Sequence, residues 1–192
     1  PPSARVCGGW APPPAAAALP EAVEAYVSEP RDGLPLLYVG FGSMGAAGLV
    51  PDGEEVLRVV VNAARWMRCG AVVMAHAIAG LGSRPPGAPA FESHGAGAGW
   101  RGVLLCHQDV PHGPLLARCS VAVHHGGVGT TLAALRAGIP QLLVPLAFDQ
   151  PFWAQRVEEL GVGVSLDVGA LTVPALAKAL RQLLAGPCAD RA

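Results

Sequence analysis

The sequence predicts an α/β protein, a Rossmann-like parallel sheet with helices on both faces. Three observations carry this expectation. Short continuous apolar runs, such as 36–41 and 121–123, suit strands buried on both sides. Stretches with helical spacing alternate with those runs. The connections between most of them are short and marked by glycine or proline, as in βαβ units.

Residues 1–20 are rich in Pro and Ala and read as a linker, with a short helix over 21–27. Residues 36–41 form the first strand and Gly42-Ser43-Met44-Gly45 a turn. Asp52, Glu54 and Glu55 open a helix that runs to Arg68, because acid at the start and base at the end suit the helix dipole. Gly70 is expected to close it. Residues 71–74 form a strand, and 79–100 a Gly/Pro-rich loop without periodicity. Strands follow at 102–106 and 121–124, then a helix over 130–137 closed by Gly138. A strand at 141–144, a helix over 151–160 closed by Gly161 and a strand at 162–166 come next. Thr172 caps a last helix with Leu176, Leu180 and Leu183 on one face. The expected division is a linker over 1–30, the folded domain over 31–186 and a tail over 187–192.

Composition narrows the function. The 192 residues are enough for one good core, and 52% hydrophobic against 14% charged residues excludes disorder. A net charge of −1 argues against nucleic acid, which needs a clustered basic surface. No apolar run reaches transmembrane length, so no membrane span is expected. The 5 cysteines are widely spaced and form no C-x-x-C pair. They read as free thiols of a reducing compartment, which places the protein in the cytoplasm, with a peripheral place at membranes left open. The start at Pro1-Pro2-Ser3, without methionine or leader, reads as a piece of a longer protein.

The segment His124-His125-Gly126-Gly127-Val128-Gly129-Thr130-Thr131 follows an apolar strand and opens a helix. A helix start offers unpaired N–H groups and the positive end of a dipole, which together suit a phosphate. The glycines let an anion approach the backbone, and His125, Thr130 and Thr131 add side-chain donors. After the next strand come Asp149 and Gln150, expected at the same sheet edge. This pattern points to a diphosphate with a hydroxyl-rich group beside it.

Several segments together resemble the donor-binding, C-terminal half of a GT-B glycosyltransferase. They are Tyr38-Val39-Gly40-Phe41-Gly42-Ser43-Met44, Val110-Pro111-His112, the His124–Thr131 turn, Ala137-Gly138-Ile139-Pro140, the run from Asp149 to Val157, and Gly161-Val162-Gly163. The resemblance is narrowest to the sterol 3-beta-glucosyltransferase branch and its bacterial antibiotic-glycosylating relatives. It implies an inverting transfer of a hexose, glucose foremost, from a UDP-sugar to a hydroxyl of a lipophilic acceptor.

The resemblance also implies roles. His125 stabilises the leaving diphosphate, with the N–H groups of Gly127 and Gly129 and the Thr130 hydroxyl. Ser43 faces the phosphates from the side. Backbone groups of Val110 read uracil, His112 lies beside the ribose, and Asp149 and Gln150 hold sugar hydroxyls. No metal or other cofactor is expected. The general base and most acceptor contacts lie in an N-terminal domain outside this sequence.

Each motif also has a plain structural alternative: a glycine turn with capping threonines, Asp149 as a helix N-cap, and a core histidine at 124. A split UDP-sugar transferase subunit, a non-catalytic nucleotide-binding module and a GT-B epimerase are the competing functions.

Overall fold

A computed structural model describes residues 17–29, 33–45, 47–50, 52–78, 81, 87–97, 100 and 102–185. Most of the expected linker and all of the expected tail over 187–192 lie outside these residues. In chain order the elements are α1 (Glu21–Ser28), β1 (Leu36–Gly40), α2 (Gly53–Met67), β2 (Gly70–Met74), β3 (Phe91–His94), β4 (Val103–Cys106) and α3 (His112–Leu116). Then come β5 (Val121–His124), α4 (Val128–Ala137), β6 (Gln141–Leu143), α5 (Gln150–Glu159), β7 (Gly163–Ser165) and α6 (Val173–Ala185).

The seven strands form one sheet in the order β3-β4-β2-β1-β5-β6-β7. All pairs are parallel except β3 with β4. Alternate residues of β1 serve opposite faces. Leu37 and Val39 join the core under α2 and α6, while Leu36 and Tyr38 join the core under α1, α3 and α4. The parallel sheet covered on both faces is therefore present as expected.

The differences have local causes. α1 packs Val23, Tyr26 and Val27 into the second core, and the Tyr26 hydroxyl donates to the Gly102 carbonyl (2.9 Å) while accepting from the Ala71 N–H (3.1 Å). The packed unit thus begins before residue 31. Asp52 caps α2 as expected, accepting from the N–H groups of Glu54 and Glu55 at 3.1 and 3.3 Å. The helix closes on Arg68 in the left-handed region (φ 56°), not on Gly70, which already belongs to β2. Part of the expected 79–100 loop is the antiparallel edge strand β3, whose short run lacks a two-residue period that burial would impose. α4 begins at Val128, two residues before the expected start, with Gly127 as its N-cap. No helix among the described residues is long and apolar enough to cross a membrane.

Counting only the parallel strands, the chain runs outward from β1 through β2 to β4, returns, and runs the other way through β5, β6 and β7. The order reverses between β1 and β5. Open α/β sheets bind ligands at such a switch point, outside the carboxyl ends of the strands. Both the Gly42–Met44 turn and the β5–α4 turn sit there.

Candidate functional site

His124, which ends β5, and His125, the residue after it, differ completely in their partners. His124 is fully buried; its Nδ1 accepts from the Gly126 N–H (3.1 Å), so the proton lies on Nε2, which donates to Gln141 Oε1 (2.9 Å). Burial pushes its pKa down to about 3, against the Gln141 hydrogen bond. It is a structural residue, as the sequence suggested, and it holds the glycine turn in place.

His125 is 7% exposed, and its Nδ1 is enclosed without a hydrogen bond of normal geometry. Burial lowers its pKa, against the Gly40 carbonyl and the charge of Asp149, while His112 adds to the lowering. The ring lies between two glycines. A Cβ on Gly42 would come within 2.8 Å of its Cε1, and one on Gly127 would overlap its Nε2. Gly42 also has φ +55°, so both conformation and space require glycine there. Nδ1 is enclosed on the side of the Gly40 carbonyl, and Nε2, which makes no hydrogen bond among the described residues, is the ring nitrogen that suits a ligand-binding role.

At the start of α4, Gly127 is extended (φ −62°, ψ 138°) and no side chain caps the helix. The N–H groups of its first turn, at Val128, Gly129 and Thr130, are directed outward from the helix end. Thr130 is buried and Gly129 exposed. The Thr131 hydroxyl, expected as a donor to a ligand, is instead buried and spent on the Gly127 carbonyl (3.0 Å). Ser43 is exposed on the neighbouring turn.

The β6–α5 turn uses its groups differently. Gln150 is 2% exposed; its Oε1 accepts from the N–H groups of Leu146 (2.7 Å) and Ala147 (3.0 Å), and its Nε2 donates to Met44 Sδ (3.1 Å). A Cβ on Gly126 would sit 3.2 Å from the Gln150 carbonyl oxygen, so the two turns touch. Asp149 holds the N-cap position of α5 but makes no capping bond; its exposed carboxylate accepts from Trp153 Nε1 (2.9 Å). Phe148, before it, is 78% exposed with φ 59°.

On the other side of the glycine turn lies a pocket of 320 Å³ lined by Tyr38, Gly42, Ser43, Met74, His76, Asp109 and His112. His112 is exposed as a residue, yet its Nε2 meets the buried Tyr38 hydroxyl at 2.9 Å. Burial against that wall lowers its pKa, with Asp109 opposing and His76 adding. His76 meets Asp109 Oδ1 at 3.0 Å and the Cys106 carbonyl at 3.3 Å. Val110 is buried in the second core and anchors the loop that carries Asp109 and His112. A larger hollow of 480 Å³ lies between α2 and the β3–β4 edge. Its walls are one side of α2, from Glu54 in the first turn onward, and residues of β3 and β4. That helix start is already capped by Asp52 and no glycine turn lines the hollow, so the switch point is the stronger candidate.

Ser43, His112, His125, Gly127, Gly129, Thr130, Asp149 and Gln150 are thus gathered on the turns at one sheet edge, while Val110 contributes from behind. Sequence reasoning missed Tyr38, Gly42, His76 and Asp109 as members of the site. Gly42 carried a signal, a glycine directly after a buried strand; the His76–Asp109 pair carried none.

The chain is similar in sequence and fold to known proteins. Over 147 residues the chain is 41% identical to the sterol 3-beta-glucosyltransferase of Cryptococcus neoformans var. neoformans serotype D, covering 76% of this chain and 9% of that protein. It is 37% identical over 152 residues to the vancomycin aglycone glucosyltransferase of Amycolatopsis orientalis, covering 79% of this chain and 32% of that one. The chain therefore spans less than a third of either relative. The crystal structure of glycosyltransferase VinC in complex with DTDP superposes with a TM-score of 0.62 at 28% identity, covering 91% of this chain and 38% of that chain. Residues 102–192 match the family described as "Erythromycin biosynthesis protein CIII-like, C-terminal domain", and the chain belongs with these C-terminal domains of GT-B glycosyltransferases.

Proposed function

We propose that this domain binds UDP-glucose and forms the donor half of an inverting glycosyltransferase whose acceptor is a lipophilic hydroxyl compound such as a sterol. The observation that carries the reading is the α4 start. There His125, wedged between Gly42 and Gly127, adjoins an uncapped helix N-terminus at the switch point of the sheet. Two of the relatives are named glucosyltransferases, which supports glucose as the sugar.

In the proposed reaction the acceptor oxygen attacks the anomeric carbon from the face opposite UDP. The new C–O bond forms as the bond to the β-phosphate oxygen breaks, and the acceptor's proton passes to a base in the N-terminal domain. Negative charge grows on UDP. The N–H groups of Gly127 and Gly129, the Thr130 hydroxyl, His125 and the helix dipole would meet that charge in a partly dry site. Such a donor set can fill the role of a metal ion, so the reading requires none. Ser43 would reach the phosphates from the side, backbone groups of Val110 would read the base, and His112 would lie beside the ribose. Asp149 would accept from the sugar's hydroxyls. Gln150 would join it only by giving up its present bonds.

A dTDP-sugar donor is the second reading, because VinC was crystallised with DTDP. Assay of the full-length protein with UDP-glucose, dTDP-glucose and a sterol separates them. Glucosylated sterol from UDP-glucose supports the proposal. Turnover with dTDP-glucose alone refutes the uridine assignment, and turnover with neither refutes the substrate pair.

A further inference from the structure

We propose that Tyr38 is a positioning residue that locks His112 with its proton on Nδ1, so that His112 donates to an oxygen of the bound nucleotide. The inference rests on the nucleotide reading above and adds a residue to it.

The proton of the Tyr38 hydroxyl has one place to go among the described residues. Tyr38 lies on β1 with 2% exposure, and its hydroxyl has one hydrogen-bond partner among the described residues, His112 Nε2 at 2.9 Å. Had the phenol accepted a bond from Nε2–H, its own O–H would have no acceptor among the described residues, the costly arrangement. The phenol therefore donates, and Nε2 accepts. The neutral imidazole must then carry its proton on Nδ1. The two rings stand nearly perpendicular, 87° apart with centroids 5.5 Å from each other, so that they meet at an edge. Gly40 protects the arrangement: a Cβ there would overlap the Tyr38 oxygen.

The neutral state of His112 follows from its neighbours. Burial against Tyr38 is the main influence, His76 adds to it, Asp109 opposes it, and His125 stands across the turn. Burial also raises the Tyr38 phenol well above the ordinary tyrosine range, which keeps it a donor. His112 lines the pocket beside the phosphate turn, and Nδ1 has no partner among the described residues. An Nδ1–H there is a donor. In the opposite tautomer Nδ1 would show a lone pair, which repels a phosphate oxygen. Tyr38 thus sets the polarity of this wall without touching ligand itself.

The test uses the 192-residue chain, nitrogen-resolved NMR of the histidine rings, and calorimetry with uridine and UDP. His112 is expected as the Nδ1–H form in the wild-type chain and as the Nε2–H form in Tyr38→Phe. Tyr38→Phe should weaken UDP about 5- to 10-fold, and adding it to His112→Ala should cost nothing further. A loss shared by uridine places the acceptor on the ribose, and a loss confined to UDP places it on a phosphate. An Nε2–H form in the wild-type chain, or no tautomer change in Tyr38→Phe, overturns the proposal. So does an additive double variant. If Tyr38→Phe does not fold, the wild-type tautomer alone decides. Wild-type chain that shows the lock but binds no uridine compound refutes the nucleotide reading and the ligand named here, while the lock itself stands.

Discussion

The β5–α4 and β6–α5 turns stand against each other at one sheet edge and treat their polar groups in opposite ways. In the first, Gly127 leaves the α4 start uncapped and His125 Nε2 makes no hydrogen bond among the described residues. In the second, Gln150 spends its oxygen on Leu146 and Ala147 and its amide nitrogen on Met44, and Asp149 takes the Trp153 indole. On the proposed reading, the open turn is prepared for an anion before one arrives. The closed turn is built first to hold its own shape, and it offers a ligand chiefly the exposed Asp149 carboxylate. A phosphate cradle gains from preorganisation, because its donors need not be released from other bonds as charge develops. Only the first turn has that property.

The largest expected effect breaks the closed turn. Gln150→Ala leaves two N–H groups without their acceptor and opens a small void, so stability should fall by about 2–3 kcal/mol in urea denaturation. An unchanged midpoint would mean that Gln150 is not the brace of this turn.

Next comes the open turn. Gly127→Ala has no backbone penalty at φ −62°, but its methyl must displace the His125 ring. UDP affinity should fall about 10- to 30-fold in calorimetry, and displacing the wedged ring should cost about 1–2 kcal/mol of stability. A wild-type affinity would show that the ring position is immaterial.

Acid sharpens the contrast between the paired and unpaired histidines. His124 is neutral in the fold, with its pKa lowered to about 3. The unfolded chain takes up that proton near about pH 6.5. Its contribution is therefore complete above that value and declines as pH falls through the window toward 3, by at most about 1.4 kcal/mol per pH unit. His125 and His112, also lowered, act in the same direction. Denaturation of wild type and His124→Gln at a series of pH values should give a shallower acid slope for the variant.

The smallest effect concerns Phe148, exposed and left-handed at the entrance to the closed turn. Phe148→Gly relieves the backbone at the cost of added freedom in the unfolded chain, for a net gain of about 0.5 kcal/mol. A loss of stability would mean that the ring packs on something that matters.

The sheet was legible because its strands are continuous apolar runs. The helices were legible where Asp52, Gly138, Gly161 and Thr172 mark their ends. β3 was not legible, because an edge strand of four residues, half of them exposed, leaves no periodic trace. The α4 start was misplaced by two residues because a glycine N-cap looks like any other glycine in a turn. In the site, His125 and its glycines announced themselves by local spacing. The commitments of Gln150 to Met44, of Tyr38 to His112 and of His76 to Asp109 join residues far apart in sequence, and no local pattern encodes them.

The central claim, that the β5–α4 turn is a preformed site for a uridine diphosphate, is tested most directly by titrating UDP and ADP into the folded chain and its His125→Ala variant by calorimetry. The account predicts that UDP binds more tightly than ADP and that the variant loses about 10- to 100-fold in UDP affinity while keeping its fold. Equal UDP affinity in the two proteins, or no uridine-nucleotide binding by folded wild-type chain, would contradict it.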